Sequence, residues 1–312
     1  MDFSMDSLSV ALLPLVLGFI MFALGLSMQL TDIKYVFKAP KPFLIGFLSQ
    51  LVILPLVTLL LILLFKPSPA FAFGFMLLSF CPGGVTNNVL SKLVHGNVAL
   101  SVALTSVMSL VSIITVPILT TFAYRYYLGD ESGQVSLLSM GLKMFFITAL
   151  PVGLGMLINE KASSFTNKHR DTFMKVALVL FVVLVILAVV SNREMFLKET
   201  GTLTLMVTTL LVMLFIVGVS LPWWLGVTWK NAKTIGVEVG IQNSTMALAL
   251  SGLLAISADM DTMLPAFALP AAVYSVVMYL LIVPYILIPI PQNNIQYNQL
   301  NNIIESYAEK DP

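Results

Sequence analysis

The feature that most constrains this chain is a succession of apolar blocks, each long enough to cross a bilayer as a helix and separated by short charged or turn-rich breaks. Crossing the hydrocarbon layer takes about 20 helical residues. The blocks fall approximately over 8–28, 41–64, 70–94, 98–125, 137–158, 172–191, 201–227, 233–256 and 262–291. Composition leaves no other class open: 58% of the residues are hydrophobic and 10% are charged, whereas a soluble domain wets its surface with roughly 25% charged residues. The reading is an all-α integral membrane protein of nine transmembrane helices, one domain over 1–291, with the lipid bilayer as its solvent. The tail 292–312, rich in Asn and Gln (QNNIQYNQLNNII), is expected to be disordered and cytoplasmic.

The formal net charge of +1 provides no basic field for nucleic acid. Cys81 is the one cysteine, so neither an intrachain disulfide nor a multi-thiolate metal site is available, and His95 and His169 lie in or beside polar connections. No nucleophile–base pair is visible, so an enzyme is not expected. The first basic residue, Lys34, follows the first apolar run, which reads as a retained helix and not a cleaved signal. Bases gather in alternate breaks: Lys34, Lys38 and Lys41; Lys92; Lys161, Lys168 and Arg170; then Lys230 and Lys233. Positive-inside bias therefore places the N-terminus outside and the C-terminus in the cytoplasm. Lys143 is expected to snorkel to the outer interface, and Trp223 and Trp224 to sit in an interfacial belt.

Two of the crossings are interrupted. The third contains CPGGVTNN, Cys81 to Asn88, and the eighth contains EVGIQNST, Glu238 to Thr245. Proline and paired glycines disfavour a continuous helix, and freed backbone survives at membrane depth only inside protein or beside water. With the fifth crossing set aside, four spans precede it and four follow, entering from opposite sides, and the interrupted helix is third in each set. Matching breaks in an inverted repeat point to a transporter's binding site near the midplane.

Of the fifteen acidic residues, Glu238 alone lies within an apolar span. An intramembrane carboxylate costs at least a few kcal/mol without a partner, and no Lys or Arg is expected at its depth. A bound cation would supply the missing charge, and a hard cation such as Na+ takes oxygen ligands. Oxygens cluster in the pattern: the amides of Asn87, Asn88, Gln242, Asn243 and Gln50, and the hydroxyls of Ser101, Thr105 and Ser109, spaced i,i+4 along one helical face. Blander roles stay open. A membrane Ser or Thr often bonds its own i−4 carbonyl, amides also glue helices together, and Glu238 could be a protonated structural carboxyl.

Several ordered segments, FALGLSMQLTDIKYVFKAPK, CPGGVTNNVL, HGNVALSVALTSVMSL and EVGIQNS, resemble the bile acid:sodium symporter family, and the resemblance extends from about Leu17 to Pro291. It implies two crossed broken helices, a core domain (about 41–125 and 201–291) and a panel domain (about 8–28 and 137–191). It also implies two transported Na+ ions. One would use Asn87, Asn88, Ser101, Thr105 and Glu238; the other Gln50, Glu238 and Gln242 with the carbonyls of Val239 and Ile241. Asn87 stands where the family often has serine. Thr86, Asn243 and Tyr279 would face the substrate, and Val277, Met278 and Tyr279 replace a Trp-His-Asn stretch of bacterial bile-acid carriers. The function implied is sodium-coupled import of an organic anion, a bile acid or a related carboxylate such as pantoate, by alternating access. The expected setting is a multi-pass protein, monomeric, in a bacterial plasma membrane. Proton coupling through Glu238 and arsenite export through Cys81 are the alternatives.

Overall fold

The first helix, α1 (Met5–Gly25), is followed by a single turn, α2 (Tyr35–Lys38), and by α3 (Pro40–Leu48), which runs on through a π-helical turn (Ser49–Ile53) into α4 (Leu54–Phe65). The structure, a computed structural model, describes residues 5–28, 35–84, 86–129, 137–257, 260 and 264–288. Next come α5 (Pro69–Phe80), α6 (Thr86–Leu93), α7 (Val98–Leu128), α8 (Leu137–Lys161), α9 (Ser163–Ser191) and α10 (Arg193–Trp224). The chain closes with α11 (Trp229–Gly240), α12 (Ser244–Ser257), a 3-10 turn (Ala266–Ala268) and α13 (Leu269–Ile286). Among the described residues the β contact is one isolated bridge, Gly83 to Gln242.

Five helical stretches are long and apolar enough to cross a membrane: Pro40–Phe65, Val98–Leu128, Ser163–Ser191, Arg193–Trp224 and Ala266–Ile286. Pro69–Phe80 and Ser244–Ala255 are shorter apolar helices, each one half of an interrupted crossing. Apolar side chains on the outer faces, among them Leu63, Phe122, Val179 and Ile186, are exposed, a pattern that suits lipid and not water.

Local chemistry sets the helix ends. Ser68 accepts from Phe71 N–H ahead of Pro69, Asn97 accepts from Leu100 N–H, and Thr228 accepts from Asn231 N–H; each side-chain oxygen satisfies an otherwise orphaned donor. Pro55, the second residue of α4, has no N–H and crowds the preceding turn. The helix answers by widening: Leu54 N–H reaches back five residues to the Ser49 carbonyl. This π turn carries Gln50 inward, where it is buried.

Helices α1, α8 and α9 pack on one another, while α3 to α7 pack with α10 to α13. The two groups meet where α1, α8 and α9 touch α12, where α8 lies on α7, and where α9 touches α10 and α13. The α1–α8 contact is backbone-close. A methyl group on Gly25 would run into the Val152 carbonyl, and one on Gly155 into the Phe22 carbonyl, so small residues set the approach as they do between membrane helices.

Three expectations change. Residues 163–171 and 193–200, expected as breaks, are helical parts of α9 and α10, whose two helices are separated by Asn192 alone. Hydropathy marks the part of a helix that lipid can surround, and polar turns extend it beyond that layer. Lys233 is not a connecting-loop base: it is buried in α11, its Nζ donating to the Ile288 carbonyl at 2.8 Å, 5.8 Å from the centroid of the Tyr285 ring. The Lys143 side chain, Asp259, Asp261 and the tail from Gln292 lie outside the described residues. Trp223 and Trp224 are exposed.

Candidate functional site

The two interruptions lie across each other. Cys81 leaves α5 extended (φ −74°, ψ 134°), as Ile241 leaves α11 (φ −112°, ψ 101°). Gly83 and Gln242 form the antiparallel bridge, and Asn243 N–H donates to the Pro82 carbonyl at 2.9 Å. Each unwound strand thereby satisfies backbone of the other, the condition for irregular chain at membrane depth. Gly83 is the close point: a methyl group there would meet the Asn87 amide and would lie 2.9 Å from Glu238 Oε2.

Glu238, in the last turn of α11, is wholly buried beside this crossing. Ser101 Oγ lies 2.5 Å from Oε1; Thr105 Oγ1 lies 3.2 Å from Oε1 and 3.1 Å from Oε2. Gln50 Nε2 donates to Oε2 at 3.1 Å and Asn87 Nδ2 at 3.3 Å. The carboxylate thus meets four neutral donors from three helical segments, and among the described residues no basic side chain donates to it. The nearest base in sequence, Lys233, is directed to the end of α13.

The amides around it have fixed orientations. Asn87 Nδ2 also donates to the Ile241 carbonyl at 3.0 Å, and Gln50 Nε2 to the Glu238 carbonyl at 2.9 Å. Gln242 Nε2 reaches the Val239 carbonyl at 2.6 Å. Each NH2 faces acceptors, so exchanging N and O would set oxygen against oxygen. The consequence is that Gln50 Oε1, Asn87 Oδ1 and Gln242 Oε1 are buried without a hydrogen-bond partner, as is Ser244 Oγ. Such atoms are rare in native interiors and call for an explanation; surplus acceptor oxygen around an unpaired carboxylate is what a cation needs.

Ser101 poses a second question. Its hydroxyl is 3.0 Å from Asn88 Oδ1 as well as 2.5 Å from Glu238 Oε1, yet a hydroxyl carries one proton. Either Ser101 donates to the carboxylate, leaving the Asn88 oxygen free for another partner, or a protonated Glu238 donates to Ser101, which donates on to Asn88.

Beside the crossing, lined in part by Gly84, Gln242 and Asn243, lies a cavity of about 130 Å³. Its polar lining is Thr86, Gln242, Asn243, Ser244, Thr245 and Tyr279. Leu24 of α1 and Phe181 of α9 contribute to an apolar wall. The N-terminal ends of α6 and α12 adjoin it, where helix dipoles favour negative charge. Asn243 Oδ1 accepts from Met246 N–H at 3.0 Å, which turns its NH2 donors away from α12 at the cavity edge.

The residues the sequence nominated fall mostly into two neighbouring groups, with Ser109 and Cys81 outside both. Asn87, Asn88, Ser101, Thr105, Gln50 and Gln242 gather around Glu238 with the Val239 and Ile241 carbonyls, while Thr86, Asn243 and Tyr279 line the cavity. Cys81 is buried, its thiol directed to the Leu77 carbonyl at 3.3 Å. Sequence reasoning missed Tyr274, whose hydroxyl donates to the Gly240 carbonyl freed at the second break, at 2.8 Å. A tyrosine in an apolar run gives no signal of that role. It also missed the seam of Asn97, Asn231 and Thr234, in which Asn97 N–H donates to Thr234 Oγ1 at 2.6 Å and Asn97 Nδ2 to Asn231 Oδ1 at 2.9 Å. That one was readable: Thr234 is one helical turn from Glu238 on the same face.

Long apolar helices and two crossed interruptions, with a wholly buried carboxylate beside the crossing, define a multi-pass, all-helical membrane protein. The model of the Sodium Bile acid symporter family matches residues 14–199, and the chain belongs to that family. It is similar to the uncharacterized sodium-dependent transporter YocS of Bacillus subtilis (strain 168), with 30% identity over 83% of this chain and 77% of that protein. It is also similar to the probable sodium/metabolite cotransporter BASS1, chloroplastic, of Oryza sativa subsp. japonica, with 30% identity over 75% of this chain. The mouse (Mus musculus) sodium-dependent organic anion transporter is 26% identical over 88% of this chain and 73% of its own length. The chain spans little more than half the length of the plant relative, 57%.

Proposed function

We propose that this protein is a sodium-coupled symporter that imports an organic anion across a bacterial plasma membrane by alternating access. The observation that carries the reading is Glu238: a buried carboxylate with neutral donors, and around it three amide oxygens that have no partner. Two Na+ ions are the transported partners. One is held by Asn87, Asn88, Ser101, Thr105 and Glu238, the other by Gln50, Glu238, Gln242 and the carbonyls of Val239 and Ile241. Rotating the Gln50 or Gln242 amide by 180° exchanges its NH2 for an oxygen, so ion binding would also loosen the bonds these amides make to Glu238 and Val239. The anion occupies the cavity beside Thr86, Asn243 and Tyr279, where the Asn243 NH2 and the α6 and α12 N-termini provide donors. The family to which the chain belongs and the printed descriptions of its relatives support sodium coupling and an anionic cargo.

Nine crossings, with the N-terminus outside and the C-terminus cytoplasmic, make up the transporter. Helices α1, α8 and α9 act as a panel against which α3 to α7 and α10 to α13 move as a core; the separate packing of these two groups supports the division. Each net charge moved inward at about −100 mV adds roughly 2.3 kcal/mol to the driving force. The test is uptake of a panel of organic anions, taurocholate and pantoate among them, into proteoliposomes. A Na+ gradient should drive uptake of at least one, and choline replacing Na+ at fixed pH should abolish it.

Proton coupling is the second reading. It is favoured by the placement of Ser101 between Glu238 Oε1 and Asn88 Oδ1, a geometry that also accommodates a carboxylic acid. Uptake that persists in choline and follows a pH gradient would select it.

A further inference from the structure

A second, smaller cavity lies one residue away from the same carboxylate, with Thr105 and Gly83 between them. It holds about 30 Å³, room for about two waters, against about 130 Å³ in the first. Its polar lining comes from Thr105, Ser109 and Ser112 of α7, with Pro82, Gly83 and Asn243 of the crossing. Met21 of α1, Met28 just beyond it and Val152 of α8 close the apolar side. The two cavities share only Leu24 and Asn243 among their lining residues.

Two lining residues bring this chamber to Glu238. Thr105 Oγ1 contacts both carboxylate oxygens, and Gly83 has no side chain between the chamber and Oε2, which an added methyl would approach to 2.9 Å. Ser109 and Ser112 continue the face of Ser101 and Thr105 away from the carboxylate. The hydroxyl protons on this face are largely committed: Thr105 donates to Glu238, and Ser112 donates to the Ser109 carbonyl at 2.7 Å. A hydroxyl that has given its proton away presents lone pairs only, so the chamber offers acceptor oxygen, next to a negative charge, in a space too small for an organic anion.

We propose that this chamber is a cation vestibule, in which Ser109 and Ser112 hold Na+ on its way to and from Glu238 by a route separate from the anion's. The proposal rests on the sodium reading above and assigns to that reading two residues outside both ion sites. The ion and the anion then approach the crossing from different cavities, and the bound anion does not have to leave before the ion can.

The test uses pairs of equal shape. Ser112→Val and Ser112→Thr add the same bulk, but only Thr keeps the hydroxyl; Ser109→Val and Ser109→Thr form the same pair. Purified full-length protein in choline chloride is mixed rapidly with NaCl, without anion, and the rate of Na+ binding is followed by tryptophan fluorescence, with calorimetry giving the equilibrium affinity. Each Val variant should slow Na+ binding about tenfold or more, the size of one lost contact to a charge, and each Thr variant should restore the wild-type rate. Ser109→Ala, which adds no bulk, should behave as the Val variant does and covers the case in which added bulk unfolds the protein. Val and Thr variants that bind Na+ at the same rate, wild-type or equally slowed, would overturn the vestibule while leaving the ion sites in place. A wild-type protein that takes up no Na+ would overturn the sodium reading itself, and the vestibule with it.

Discussion

The two helix interruptions do the same job by different means. The first, between α5 and α6, is written into the chain: Pro82 removes a donor and Gly83 and Gly84 weaken the helix locally, so α5 would stop there in almost any environment. The second, between α11 and α12, has no proline and a single glycine, Gly240. Its residues from Ala232 to Ser244 are buried throughout, and partners elsewhere hold it open. Tyr274 takes the Gly240 carbonyl, Asn87 the Ile241 carbonyl, Gln242 the Val239 carbonyl, and Pro82 accepts from Asn243. One break is local and the other is imposed by tertiary contacts, and the carboxylate sits on the imposed one. The binding element is therefore the segment whose conformation depends most on its neighbours, including whatever binds to it.

That contrast can be broken most severely at the carboxylate. Glu238→Gln keeps the shape but removes the charge and sets an NH2 against donors; Na+-driven uptake in proteoliposomes should fall on the order of 100-fold or more, since unbalancing a buried charged cluster costs about 3 kcal/mol or more. Retained sodium-dependent transport would separate Glu238 from the ion. Next in size, Gly83→Ala puts a methyl group against Asn87 and Glu238, and overpacking of about 1–3 kcal/mol should appear both as a lower Tm and as weaker Na+ binding by calorimetry. Tyr274→Phe removes one buried hydrogen bond from the imposed break and leaves a carbonyl unsatisfied. A loss of about 1–2 kcal/mol should show as a reduced Tm, and added Na+ should recover part of it if the ion and Tyr274 order the same segment. The smallest effect is expected for Pro82→Ala. Gly83, Gly84 and the bond from Asn243 would still hold the local break, so Tm should shift by less than about 1 kcal/mol equivalent. A larger loss for Pro82→Ala than for Tyr274→Phe would invert the comparison.

The difference also explains what could be read in advance. Pro82-Gly83-Gly84 announced a break because proline and glycine act on their own turn of chain. Glu238 announced a site because an isolated acid in an apolar run is costly whatever the fold. The oxygen-bearing residues on α7 followed from helical spacing. The π turn that carries Gln50 inward was not legible, although Pro55 supplied its cause, because widening competes with kinking and packing decides between them. Lys233 was misplaced because a lysine near an apolar boundary reads as a solvated end. Only the arrival of the α13 terminus, with the Ile288 carbonyl and the Tyr285 ring, makes its burial tolerable.

The sequence alone determined that this chain lives in a bilayer, that it has two interrupted crossings, and that one carboxylate needs a partner, because hydrophobic transfer, proline geometry and charge desolvation act on residues one at a time. The tertiary structure decided that the interruptions cross, that six polar side chains from different helices gather with two backbone carbonyls around Glu238, and that two cavities of different size adjoin the crossing. Those are relations between segments distant along the chain, fixed only when packed helices leave each buried donor and acceptor a single place to go.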